Sequence, residues 1–446
     1  MFKIKKNKLA INGGKKIINF NFSNYSTIGN EEQRAVRKVL KNGILSKFLA
    51  DSEKDYKGNN FSGGKQVLAF EKKIQKLFKV KYAVSVNSWT SGLSCAVGAL
   101  EVNPGDEIIL PTWTMCACAS SILQWNCIPV FADIEPETFC IDPKDVEKKI
   151  TKKTKAIIVV DIFGQSADIN SLKKIAKKYK LKLISDSAQA IYSNYYKKKS
   201  GTLADIGGFS FNCHKHIQTG EGGVLVTNNK AIYNRLRLLR NHAEGVIGSI
   251  KNKKIKKSFL TNMIGNNFRM GEIEAAIGIE QLKKLKKKFI SRNLVAQKIN
   301  KGLKKLKGIN LPIVRKNCTH SYYIYPLVLD LKLLKTNRNK IYKALLGEGL
   351  KCVSEGYFNL HLLPIFQKKI AYGKNGFPWN FSNNNSNINY KKGICPIAEK
   401  LNDKNFLKLE LCLHEFTNRE IKLVIKVFEK VWSNLFKKLA KKTKNP

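Results

Sequence analysis

Residues 155–187 read KAIIVVDIFGQSADINSLKKIAKKYKLKLISDS, and this stretch decides the fold. KAIIVVDIF is an apolar run of strand length. Ile169 to Tyr179 repeats apolar residues at helical spacing, and KLISDS is a second apolar run that stops around Asp186. Strand, helix and strand in that order make a β-α-β unit, whose two strands lie parallel in one sheet. The same alternation extends outward in both directions. Upstream stand YAVSV from Tyr82, a helix through Leu93 to Leu100, DEIILPT, a helix through Ile122, and PVFADI; downstream stand IGGFSF and GGVLVT. The pattern predicts an α/β fold with a mostly parallel central sheet flanked by helices on both faces.

Two amphipathic helices precede the sheet text, in EEQRAVRKVL from Glu31 and AFEKKIQKLFKV from Ala69. Beyond it, the Asn/Lys-rich stretch Lys251 to Lys257 reads as an exposed loop, and a long helix follows from Gly271 through Leu285 and onward. A second pattern starts near Lys316. HSYYIYPLVLD reads as a strand, NKIYKALLGEG as a helix ending in glycine, and TNREIKLVIKVFEKVWSNLF as an amphipathic helix with Thr417 as N-cap. Two domains are expected: residues 1–304, with an N-terminal lead and a connecting helix, and a smaller α+β domain over residues 305–446.

A chain of 446 residues with 43% apolar and 10% aromatic residues has ample material for two cores. Its 81 Lys and Arg against 33 Asp and Glu give a formal charge of +48, enough to attract nucleic acid or anionic lipid. The basic residues are overwhelmingly Lys and spread over the whole length, and the runs KKLKKK near Lys283 and KKLAKK near Lys437 read as exposed helix faces. With no zinc finger or RNA-binding motif beside them, a solvated surface is the better account and a specific nucleic-acid partner is not expected. Ten cysteines lack CxxC pairs, and Cys116 with Cys118 has no second Cys/His cluster, so reduced thiols and no metal site are expected. The start MFKIKKNKLAINGG lacks the apolar run of a signal peptide, and no stretch approaches a membrane helix. A cytoplasmic enzyme is expected.

The segment FSFNCHKHIQTGEGG, Phe209 to Gly223, sets Lys215 between an apolar strand and a glycine-rich loop. A buried lysine there would have a lowered pKa, the condition for attack on an aldehyde; a lysine that snorkels to water is equally open on position alone. Thr90 and Ser91 of VNSWTSGL lie at a helix N-terminus, which offers N–H donors to a phosphate, with plain N-capping as the alternative. Ser210 adds a hydroxyl, and glycines 220, 222 and 223 permit close backbone approach. Asp186, at the end of a parallel strand, stands where open α/β sheets bind ligands, although a helix cap would also place a carboxylate there.

Together these segments resemble the DegT/DnrJ/EryC1/StrS family of sugar aminotransferases, which have the type I aspartate-aminotransferase fold. The resemblance runs from LAINGGKK through NSWTSGL, GDEIILPTWT, PVFADIEPETFCIDP, ISDSAQA and FSFNCHKHIQTGEGG to NNFRMGEIEAAIGIEQL. It implies pyridoxal 5'-phosphate as cofactor, carried by Lys215 as a Schiff base, and a ping-pong transfer in which the freed amine of Lys215 acts as base and acid. It puts Asp186 on the pyridinium nitrogen and Gln189 on the phenolic oxygen. Thr90, Ser91 and Ser210 fall on the phosphate, joined by Asn267 from a partner subunit, so a homodimer with shared active sites is implied. A dehydratase branch of the family has histidine at the lysine position. Spacing from Ser210 and to Gly220 selects Lys215 over His214 and His216, and hence transamination.

The chain departs from the family in two places. Where many members stack an aromatic residue on the cofactor ring, this chain has Met115, with Trp113 two positions earlier; either covers the ring, or Trp113 belongs to the core. AQAIYSNYY replaces the commoner AQAHGA, so contacts near Ile191 differ. The implied donor is glutamate or glutamine and the implied acceptor a keto sugar nucleotide, for amino-sugar and surface-polysaccharide biosynthesis. Glutamine-dependent amination of a cyclitol, dehydration of a sugar, and a basic regulatory or nucleic-acid-binding role are the alternatives. The aromatic segment GYFNLHLLPIFQKKIAYGKNGFPW, Gly356 to Trp379, bears on that choice. His320 and His361 are not assigned catalytic roles.

Overall fold

Seven strands between Tyr82 and Thr227 form one sheet in the computed structural model, which describes residues 8–48, 62–243, 262–381 and 388–436. They are β1 (Tyr82–Val86), β2 (Glu107–Pro111), β3 (Ile128–Ala132), β4 (Thr154–Val160), β5 (Lys182–Asp186), β6 (Ile206–Ser210) and β7 (Gly223–Thr227). Across the sheet the order is β1, β7, β6, β5, β4, β2, β3. Neighbours run parallel except β7, which is antiparallel to both β1 and β6. The mostly parallel sheet expected from the sequence is therefore present. Its strands are largely apolar because helices cover both faces; every residue of β2, β3, β6 and β7 is buried.

The covering helices form where apolar residues recur at helical spacing, and in three of them an N-cap side chain, Ser88, Asp168 or Asn229, accepts from the first turn. They are α1 (Asn30–Asn42), α2 (Lys65–Phe78), α3 (Trp89–Gly98), α4 (Ala117–Leu123), α5 (Ile169–Lys178), α6 (Lys230–Arg240) and α7 (Glu272–Leu303). In α5, Asp168 accepts from the N–H of Ser171 at 3.3 Å, Leu172, Ile175 and Ala176 are buried, and Lys177 and Lys178 complement the negative end of the dipole. Helix α6, absent from the sequence reading, contributes Arg240, whose buried guanidinium meets Glu71 of α2 at 2.7 Å. Glu71 also accepts from the N–H and hydroxyl of Ser85 at 2.8 and 2.9 Å, so one carboxylate ties α2, β1 and α6 together.

A second, antiparallel sheet has the order β8 (Ile309–Asn310), β9 (Tyr325–Leu329), β11 (Phe406–Leu409), β10 (Val353–Glu355). Helix α8 (Arg338–Gly347) packs on it, and α9 (Asn418–Leu435) packs against α8 and α7 in the same core, α9 starting from a capping box in which Thr417 and Glu420 exchange hydrogen bonds. Leu9, Ile18 and Phe22 are buried in the same core, and Ser23 and Asn24 pair with Glu415 and His414. The strand expected over HSYYIYPLVLD begins only at Tyr325. The preceding residues are held to the first sheet's loops, Ser321 donating to the Gly164 carbonyl at 2.9 Å and Ile324 to that of Phe163 at 3.3 Å.

In the run KKLKKK of α7, Lys283, Lys286 and Lys287 are exposed and Lys284 pairs with Glu31 and Glu32, a solvated face with one bridge to α1. The loop over Lys251–Lys257 and the run near Lys437 lie outside the described residues. Among the described residues no helix is long and apolar enough to cross a membrane.

Candidate active site

The carboxyl ends of β4, β5 and β6 open onto a cavity of about 270 Å³. Sheet register levels them, Val160 standing beside Asp186 and Asp186 beside Gly208. Thr90, Met115, Asp186, Gln189, Ser210 and Lys215 all line it, so six of the residues singled out in the sequence converge. Ser88, Trp89, Thr114, Asn212, His214, Glu221, Tyr323 and Tyr357 join them.

Lys215 sits on a loop whose ends are closed by the β6–β7 pairing. Phe211 donates to the Gly222 carbonyl at 2.9 Å, Thr219 to that of Phe211 at 2.8 Å, and Lys215 itself to that of Asn212 at 2.9 Å. The side chain is 8% exposed, which excludes the snorkelling alternative. Its Nζ has the Tyr323 hydroxyl at 3.4 Å and the ring centre at 4.5 Å. Burial holds this amine below the ordinary lysine value, with the charge of Asp186 acting the other way. The neighbouring histidines separate cleanly. His214 lines the cavity, whereas His216 turns away and donates from Nε2 to the Ser321 carbonyl at 2.7 Å. Burial and then Arg292 push the His216 pKa down to about 3, so it is a neutral core residue.

At one end of the cavity α3 begins. Ser88 caps it, its Oγ accepting from the N–H of Ser91 at 3.1 Å and lying 2.9 Å from the Ser91 hydroxyl. Ser91 is thus tied to the cap and does not itself line the cavity, while Thr90 is exposed to it. Ser210 is buried, and its Oγ accepts from the N–H of Asn212 at 3.3 Å.

At the other end lies the buried carboxylate of Asp186. Its Oδ1 accepts from the Trp89 indole at 2.7 Å and from the N–H of Ala188 at 3.0 Å; its Oδ2 accepts from the Cys118 thiol at 3.1 Å. Burial and the adjacent carboxylate push the Cys118 pKa well up, so the thiol keeps its proton and donates. Gln189 is oriented by accepting from the N–H of Phe163 at 2.7 Å, and its Nε2 reaches the Tyr357 hydroxyl at 3.4 Å. Burial pushes that phenol up to about 12.

Trp113 and Met115 part company. Trp113 is fully buried, donates from Nε1 to Asn359 at 2.9 Å, and packs against Phe139, Phe163, Tyr357 and Phe406 away from the cavity. Met115 lines the cavity and is 57% exposed. Asn267 is exposed, bridged to Asn241, and outside the cavity of its own chain. The aromatic segment divides in the same way: Tyr357 lines the cavity, while Phe366 and Trp379 are core against Phe131 and Tyr390. His361 is buried between Thr112 at 2.6 Å and Glu399 at 3.0 Å, and His320 accepts from the N–H of Tyr322 at 2.8 Å; both are structural.

Sequence reasoning missed Trp89, Tyr323 and Tyr357. Trp89 carried a signal, since a large indole at the first position of a helix flanked by Ser and Thr is unusual in an otherwise small-residue turn. Tyr323 was hidden inside a run read as strand.

Known proteins resemble this chain over most of its length. The DegT/DnrJ/EryC1/StrS aminotransferase family matches residues 43–391. The spore coat polysaccharide biosynthesis protein SpsC of Bacillus subtilis is 31% identical over 79% of this chain and 86% of its own. GDP-perosamine synthase of Vibrio cholerae is 32% identical over 75% of this chain and 88% of its own. Among solved structures, Helicobacter pylori PseC, an aminotransferase involved in the biosynthesis of pseudoaminic acid, superimposes with a TM-score of 0.73 at 26% identity, covering 93% of this chain and 99% of that one.

Proposed function

The chain belongs to the DegT/DnrJ/EryC1/StrS aminotransferase family and is a pyridoxal-phosphate-dependent aminotransferase; from that premise we propose that it moves an amino group from glutamate or glutamine to a keto group of a nucleotide-linked sugar. The product would be an amino sugar for surface polysaccharide, made in the cytoplasm by a homodimer. The observation that carries the proposal is the buried amine of Lys215, set between a helix N-terminus and a carboxylate in one cavity.

The cavity fits pyridoxal phosphate on its own chemistry. A buried amine with a single long hydroxyl contact lacks a counter-charge at bonding distance, and an aldehyde partner removes that cost. Bound there, the cofactor supplies a ring that accepts the electrons left when the donor loses a proton. Thr90, Ser210 and the N-terminus of α3 would hold the phosphate, with Asn267 of the partner subunit completing it, and Ser91, tied to Ser88, would act only through the helix end. Asp186 would face the ring nitrogen and Gln189 the phenolic oxygen. Met115 would cover the ring, since it faces the cavity and Trp113 does not. Lys215 would hold the cofactor and, once released, carry the proton between donor and cofactor carbons, a task its lowered pKa suits at neutral pH.

Transamination is favoured over dehydration because the cavity presents Lys215, with His216 turned into the core. A sugar nucleotide is favoured over a cyclitol because relatives above 30% identity include GDP-perosamine synthases. The division into residues 1–304 and 305–446 belongs to the same proposal, the second unit supplying Tyr323 and Tyr357 to the cavity. The test is to load the enzyme with pyridoxamine phosphate and offer keto sugar nucleotides and inososes, following amine products by mass spectrometry. An aminated sugar nucleotide is expected. Amination of inososes alone, or an elimination product alone, would discard the proposed acceptor.

A further inference from the structure

Asp186 is gripped unequally at its two oxygens. Oδ1 receives two N–H donors, the Trp89 indole at 2.7 Å and the main chain of Ala188 at 3.0 Å. Oδ2 receives only the thiol of Cys118 at 3.1 Å. A thiol is a weak donor, so Oδ2 is the less occupied oxygen and Oδ1, with two N–H donors, the fully engaged one. The indole hydrogen bond is buried, where it is neither screened by water nor replaced by it.

Room for the indole is built into the chain. A Cβ on Gly208 would lie 2.1 Å from Cζ3 of Trp89, and one on Gly92 would lie 2.8 Å from its Cε3. Gly208 is also the residue beside Asp186 in the sheet. Trp89 is moreover the first residue of α3, so its main chain belongs to the phosphate end of the cavity and its side chain reaches the carboxylate end. One residue spans both poles.

We infer that Trp89 is a positioning residue for Asp186: it saturates Oδ1, fixes the plane of the carboxylate, and turns Oδ2 toward the ring nitrogen, which then stays protonated. Cys118 is a filler donor that yields Oδ2 to the ring. The inference rests on the cofactor site of the proposed function.

The test uses holoenzyme carrying pyridoxal phosphate labelled with nitrogen-15 in the ring, whose chemical shift reports protonation directly. Wild type is expected to show a protonated nitrogen and Asp186→Asn a neutral one. Trp89→Phe keeps an aromatic ring without the N–H, and is expected to move the shift at neutral pH toward the neutral form. Its kcat should fall about 10- to 100-fold, the range for one hydrogen bond to a charged group, with KM for the donor within about threefold. If Trp89→Phe does not fold, a benzothienylalanine installed at position 89 removes the N–H at nearly constant shape. An unchanged nitrogen shift and kcat in either variant overturns the role of Trp89 and leaves the cofactor site intact. Borohydride trapping checks that site separately; a wild-type enzyme with no label on Lys215 overturns the site and the inference together.

Discussion

The amine of Lys215 lies 3.4 Å from the hydroxyl of Tyr323 and 4.5 Å from the centre of its ring. Tyr323 precedes β9, so the second sheet delivers a phenol to the amine that the first sheet's loop presents. Tyr323→Phe is expected to retain the cofactor and lower kcat about tenfold, the worth of one hydrogen bond to a charged group. Burial pushes this phenol well above its ordinary value, so it stays protonated and the loss should be flat from about pH 6 to pH 9. Steady-state kinetics across that range checks it, and a loss that varies with pH would discard the assignment.

Met115 and Trp113 give a matched pair of variants. Met115→Ala should weaken cofactor affinity roughly three- to tenfold with little change in unfolding temperature, because the side chain is exposed to the cavity. Trp113→Ala should instead cost about 3–5 kcal/mol of stability, since it empties a fully buried aromatic site. Cofactor titration and denaturant unfolding of both proteins separate the two effects; the reverse outcome would return Trp113 to the ring.

The buried pair Glu71–Arg240 should be among the most sensitive points of the fold. Glu71→Ala leaves a guanidinium of 0% exposure without its carboxylate, and a loss of about 3–5 kcal/mol is expected by denaturant unfolding. Replacement of both residues by apolar ones of similar volume should cost less than the single change. A single variant within about 1 kcal/mol of wild type would mean that Arg240 finds other acceptors.

His216 and His320 make the protein acid-sensitive. Burial, joined at His216 by Arg292 and at His320 by His216, lowers both to about 3. A lowered folded value means that the unfolded chain binds the extra proton first. Each contribution is therefore complete above the unfolded value of about 6.5 and is lost at roughly 1.4 kcal/mol per pH unit as pH falls toward 3. Asp161 opposes this in part: burial raises it to about 6, so it destabilises the fold as pH rises from about 3.8 to 6. Unfolding measured at pH 7 and at pH 5 should show a net loss, smaller in His320→Gln. Equal stability at the two values would mean that neither histidine is held neutral.

The sheet and its helices were legible because burial on both faces leaves an unmistakable record, in runs such as AIIVV before Asp161 and KLIS before Asp186. The cofactor-site candidates Asp186, Ser210 and Lys215 were legible for a related reason, since each stands where an apolar strand ends or a glycine-rich loop begins. Helix α6 was not legible because its charged face, with Arg235 and Arg240, is buried by ion pairs and carbonyls that only the tertiary fold supplies. Trp89, Tyr323 and Tyr357 escaped for the same cause. Their place in the cavity depends on which distant element lies opposite, and an aromatic residue in a core reads identically. Periodicity could not divide Trp113 from Met115, since one packs against four rings and the other against none of them.

The reversed direction of β7 closes the Lys215 loop at its base, between Ser210 and Gly223. The loop is thus held twice, by the sheet at its base and by His216 and Ile217 in the core, and Lys215 stands between them facing the cavity. Replacing Lys215 is therefore expected to alter the chemistry of the cavity while the hydrogen bonds at the loop's base keep the sheet. A scaffold with that property can diversify in chemistry by single substitutions, and a family that holds both transferring and eliminating enzymes is what such a scaffold would leave behind.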